Sequence, residues 1–149
     1  MDWIERGASD GSNMLPFGTL STRQKYALLP FVHSREEISL ATKERLLGDL
    51  LAKDKSDMAV RAQIRCRAAL PDPVIKEQEW ERYNSAEAKD SIVNLSASMD
   101  GFLWGSQLGI TQKYIEKWLD GLLAYSKKFE RERTEHFHDY LVPSNYLAE

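Results

Sequence analysis

A single cysteine, Cys66, occurs in the chain. That excludes an internal disulfide framework and fits a reducing compartment. Basic residues are not in excess. The net charge is −3 and the pI about 5.7, which argues against nucleic acid as a partner, since phosphate-backbone binding needs a basic surface. No apolar run approaches the ~20 residues that span a bilayer, so no membrane partner is expected. Residues Met1–Arg6 lack the basic-then-apolar order of a signal peptide. These absences together read as a cytoplasmic protein. Period-2 alternation is missing too, so no sheet is expected. No catalytic motif is present. His33-Ser34-Arg35-Glu36-Glu37 has neither the Glu nor the second His that H-E-x-x-H requires.

What is present is helical. The chain has 149 residues, 42% hydrophobic and 29% charged, the balance of one globular domain. Residues 1–21 read as an irregular segment or linker. Trp3-Ile4 looks like the end of a helix, and 7–13 is a loop by composition. Such an opening suggests a piece of a longer fold, with Met1 as a native start the equal alternative. Residues 22–149 read as a single helical-repeat domain. A helix from Thr22 carries Tyr26 and Leu29, with Pro30 limiting it. Ser34 and Glu37 form a capping-box pattern before the run Ile38 to Leu51. Ser56 caps a helix with Ala59, Ala62, Cys66 and Ala69 on one stripe. Leu70-Pro71 ends that helix, and Asp72 with Pro73 starts the next. Ser85 is expected to cap a helix ending at Gly101, where the glycine suggests a left-handed cap. Thr111 is expected to cap an amphipathic run with Tyr114, Trp118 and Leu122 inward. A last helix spans about Lys127 to Leu141.

The helices fall into pairs, roughly 35–70, 72–100 and 111–141. The predicted fold class is therefore all-α: antiparallel helix pairs stacked as a short α-solenoid of the HEAT or armadillo type. Between the second and third pairs lies Gly101 to Gly109, which holds three of the eight glycines. It reads as a joint, with Phe102 and Trp104 plugging the seam.

Four stretches carry a family resemblance. They are Arg67-Ala68-Ala69-Leu70-Pro71, Lys76-Glu77-Gln78-Glu79-Trp80, Gly101-Phe102 followed by Gln107, and Tyr114-Ile115-Glu116-Lys117-Trp118-Leu119. In this order they resemble the C-terminal helical domain of zinc aminopeptidases of the aminopeptidase N type, over about residues 36–141. The resemblance implies a non-catalytic bowl of helices that covers the active-site chamber and contributes to peptide access and binding. Its implied partners are the catalytic domain of the same enzyme and the peptide substrate. The implied zinc is held by the catalytic domain, so no cofactor is expected in this chain. The alternative is a stand-alone helical-repeat scaffold that binds a protein or peptide.

Arg61 and Arg65, four apart on one helix face, are the candidate substrate-binding residues. A guanidinium fork matches a peptide's terminal carboxylate. The plainer reading pairs Arg61 with Asp57 on the surface. His136 and His138 are two apart on a helix and diverge, so they cannot share one ion there. Cys66 reads as a small buried hydrophobe despite its arginine neighbours.

Overall fold

The computed structural model describes residues 20–143. The expected irregular segment therefore lies outside the described residues, except for Leu20 and Ser21. Seven α-helices make up the described chain: α1 Thr22–Ser34, α2 Leu40–Leu51, α3 Asp57–Ala68, α4 Pro73–Asn84, α5 Ile92–Asp100, α6 Leu108–Lys128 and α7 Arg131–Leu141. A 3₁₀ turn, Gly105–Gln107, leads into α6. The described residues form no strand, and none of their helices is long and apolar enough to cross a membrane.

The starts follow from local chemistry. Ser21 and Gln24 form a reciprocal capping box on α1. Ser56 caps α3 and Asp72 caps α4 ahead of Pro73, as the sequence suggests. Three expected caps are displaced. Ser34 is the last residue of α1, and its hydroxyl donates back to the Phe31 carbonyl. Pro30 sits inside α1 without ending it. The α2 cap is Ser39, whose oxygen accepts from the Thr42 amide at 3.3 Å. Likewise Ser91, not Ser85, caps α5. The 3₁₀ turn starts α6 at Leu108, so Thr111 lies inside the helix and its hydroxyl donates to the Gln107 carbonyl.

The three predicted pairs correspond to α2/α3, α4/α5 and α6/α7. Helices consecutive in sequence touch from α1 through α5 and again at α6 and α7, but the most extensive interfaces skip one helix: α3 with α5, α1 with α3, and α5 with α7. The odd-numbered helices thus form a continuous layer. On its other side α4 touches α6. The core has two parts. Tyr26, Leu29, Ala59, Ala62 and Cys66 pack near the first helices. Trp80, Tyr83, Met99, Phe102, Tyr114, Trp118 and Phe137 form a larger aromatic cluster toward the last ones. Small residues on α3 let α1 approach closely, which is why Ala59, Ala62 and Cys66 share one buried stripe.

Candidate functional site

The joint at Gly101 lies where the two cores meet. Helices of one layer run the same way, so α1, α3 and α5 end near one another. Helix C-termini leave carbonyls without partners and carry partial negative charge. Two side chains meet that need. The Gln107 Nε2 donates to the Ser34 carbonyl at 2.9 Å and the Ala69 carbonyl at 2.7 Å, and so closes the ends of α1 and α3 together. The Lys76 Nζ donates to the Ala68 carbonyl at 2.6 Å and the Phe102 carbonyl at 2.5 Å. It also lies 5.0 Å from the Phe102 ring centroid. Lys76 is wholly buried, and burial pulls its ammonium down to about 7, against the attraction of Glu79.

Gly101 has φ −88° and ψ −7°, so the expected left-handed cap is not formed. The reason for glycine is a close approach instead. A Cβ here would lie 2.3 Å from the Arg65 carbonyl oxygen, a backbone atom of α3. Phe102 is fully buried in the seam. Trp104 is only half-buried, its Nε1 donating to the Gly101 carbonyl at 2.8 Å and its ring meeting Phe31 edge-on. Trp104→Ala should therefore lower stability by about 1–2 kcal/mol in chemical denaturation, less than a core aromatic truncation. Gln107→Leu should cost about 2 kcal/mol, because it orphans two helix-end carbonyls while keeping the volume.

A buried polar network stands behind the joint. Glu79 accepts from Arg67 Nε at 3.1 Å, from Arg82 at 2.6 Å and from the Ser98 hydroxyl at 2.8 Å. Ser98 shares a further bond with the Tyr83 hydroxyl. Toward α6, Glu77 accepts from Lys113, Tyr114 and Lys117, and these donors hold its carboxyl down at about 2. Such an arrangement locks helices together. It places no activated nucleophile or base in an open cleft.

Arg61 and Arg65 both lie half-buried on α3. Arg65 is engaged with Asp100 at 2.6 Å, tying α3 to α5. With a third of the side chain exposed, that pair is worth under ~1 kcal/mol. The two histidines part as helical geometry requires. His136 Nδ1 bonds the Ser96 hydroxyl on α5 at 2.6 Å, and His138 meets Trp118 on α6 edge-on. Among the described residues no group of three His, Cys, Asp or Glu side chains could hold a metal ion. Cys66 is fully buried, with its thiol pushed up to about 12 by burial, the opposite of an activated thiolate.

Lys76, Glu79 and Gln107 were not distinguishable in the sequence. Lys76-Glu77-Gln78-Glu79 has the composition of a solvated face, and Gln107 bonds partners 73 and 38 residues away. The one available signal was the resemblance, whose four stretches contain all three. No protein-family model matches the chain, and no curated protein matches it.

Proposed function

We propose that this chain is a non-catalytic helical unit from the C-terminal domain of a zinc aminopeptidase, where it walls the substrate chamber and limits peptide access. One observation carries the reading. The four resembling stretches, spread over some fifty residues, converge on one joint. Ala68 and Ala69 supply carbonyls, Lys76 and Gln107 cap them, and Gly101 permits the close approach. Trp80 packs against Phe102 and Tyr114 with ring centroids 6.2 and 5.4 Å apart. The meeting of these scattered residues in space supports the reading more than helix count does. The stacked odd-numbered layer suits a short solenoid of the HEAT or armadillo type.

Within such an enzyme Arg61 is the residue offered to a peptide's terminal carboxylate, with Arg65 beside it on Asp100. Arg61→Ala in the full enzyme is expected to raise KM for peptides with a free carboxyl terminus and not for their amides. Equal effects on both would remove that role. The broader reading is tested in the reading frame that encodes the chain. That family holds its zinc with H-E-x-x-H and binds the peptide amino terminus with a G-x-M-E-N segment, and finding both upstream of this segment would support the reading. An open reading frame with neither motif leaves the stand-alone peptide-binding scaffold.

A further inference from the structure

Gly121 lies in the middle of α6, where glycine is the least favourable residue after proline. No packing partner demands it, since a Cβ built there would meet no atom within 4 Å. The space beside it belongs to a cavity of about 120 Å³ between α4, α6 and α7. At Tyr114 the helix α6 is tied to Glu77 of α4, and at Tyr125 its hydroxyl donates to the Tyr83 carbonyl at 2.9 Å. Between these ties α6 offers only Gly121 and Ala124 to the cavity, and they are too small to close the gap to Trp80 and Asn84 of α4. Tyr125 and Phe137 form the floor, stacked with ring centroids 3.7 Å apart, and the Trp80 ring lies 5.9 Å from Phe137. Lys117 and Lys128 also line the cavity and are exposed, so they stand at its open side.

We propose that this cavity binds a small aromatic carboxylate, its ring on Trp80, Tyr125 and Phe137 and its carboxylate on Lys117 or Lys128 at the open side. The volume approaches the ~150 Å³ of an apolar cavity that accepts benzene, and aromatic walls favour a ring through offset and edge contacts. The charge selects an anion. Among the described residues two ammonium groups line the cavity and no carboxylate does. Glu81 and Asp120 are exposed on the same two helices but do not line it. Lys117 is the most distant of the three donors to Glu77, at 3.3 Å against 2.6 Å for Lys113 and 2.8 Å for Tyr114. Lys128 donates to the Asn84 carbonyl. An ammonium carries three N–H donors, so each lysine retains donors for a charge-assisted bond to a ligand. A cationic ligand would meet like charge at the same place. The inference does not depend on the aminopeptidase reading, since it uses only residues of α4, α6 and α7.

The probe is phenylacetate, added to the intact chain and followed by amide and indole N–H resonances, with phenylacetamide as its uncharged twin and acetate as its ringless one. Saturable shifts at Trp80 and Gly121 are expected at millimolar phenylacetate, with phenylacetamide at least ~10-fold weaker and acetate without effect. Gly121→Leu fills the cavity with a good helix former, so it should abolish those shifts without lowering the unfolding midpoint. Lys117→Gln/Lys128→Gln alters exposed side chains and should bring acid and amide to equal affinity. The proposal is overturned by any of four results: no saturable shift, shifts centred on other helices, acid and amide bound equally by the wild-type chain, or undiminished binding to folded Gly121→Leu.

Discussion

Gly101→Ala is expected to destabilise the chain by at least ~3 kcal/mol, the upper range for forcing volume into a packed seam. The added Cβ would meet the Arg65 carbonyl oxygen at 2.3 Å and the Arg65 carbonyl carbon at 3.0 Å. Neither can swing aside as a side-chain tip could, because both belong to the backbone of α3. Relief requires α5 to move away from α3, and this is the most extensive interface in the fold. That movement would also break the Lys76 bond to Phe102 and the Arg65–Asp100 pair. The backbone at Gly101 is right-handed, so conformational strain contributes nothing. Gly121→Ala is the control. It lies inside α6 with no atom within 4 Å of the new methyl, and it should stabilise by about 0.5–1 kcal/mol through helix propensity. Chemical denaturation of the two variants separates close approach from a general intolerance of glycine replacement.

Lys76→Met should cost about 3 kcal/mol near pH 9, and the deficit should shrink toward pH 7. The methionine keeps the buried volume but leaves the Ala68 and Phe102 carbonyls without a donor. The pH dependence follows from burial of the ammonium. Its folded value is about 7, against an ordinary 10.5. Between those values the unfolded chain binds more protons than the folded one, so stability rises with pH, by at most ~1.4 kcal/mol per unit. The neutral amine still donates to both carbonyls, so deprotonation removes a desolvation penalty without losing the caps. The wild-type chain should therefore gain about 2 kcal/mol from pH 7 to 9. Above pH 9 the rise should level off, because the Lys76 gain continues to 10.5 while a Cys66 loss begins, and above 10.5 the trend should turn over. Cys66 ionises in the unfolded chain near 9.0 but only at about 12 when folded, so its contribution is full below 9.0 and is lost through that window. Lys76→Met should show a nearly flat profile from pH 7 to 9. An equal rise in the variant would mean that another group carries the dependence.

The helical class, the three helix pairs and the caps at Ser56 and Asp72 were legible because their causes are local. A cap and the amide it accepts from are two or three residues apart, and apolar periodicity needs only one helix. The misplaced caps arose where tertiary partners intervene. Ser34 has the spacing of a capping box with Glu37, yet α1 continues through Pro30 and uses the Ser34 hydroxyl at its own end. His33 assists there by bonding the Leu29 carbonyl at 2.8 Å. Thr111 looked like a cap because a glycine-rich turn precedes it, but the 3₁₀ turn merges into α6 and moves its start to Leu108. The joint was located correctly and explained incorrectly. Its glycines suggested a left-handed turn, whereas Gly101 answers to a backbone oxygen 36 residues earlier in the chain. Lys76 and Glu79 were hidden for the same reason, since burial of a charged run depends on partners that only the fold supplies. Arg61 and Arg65 share a helix as expected, but the pairing of Arg65 with Asp100 joins residues 35 apart and left no trace in local spacing.

The most direct measurement of the account is made on the native protein. An antibody raised against α4–α6 recovers the endogenous protein from its source cells, and the precipitate is sized and assayed on an aminoacyl amide. The account predicts a protein far larger than the 17.1 kDa of this chain, with aminopeptidase activity that is lost to a zinc chelator and regained with zinc. A single species of 17.1 kDa without such activity would contradict it.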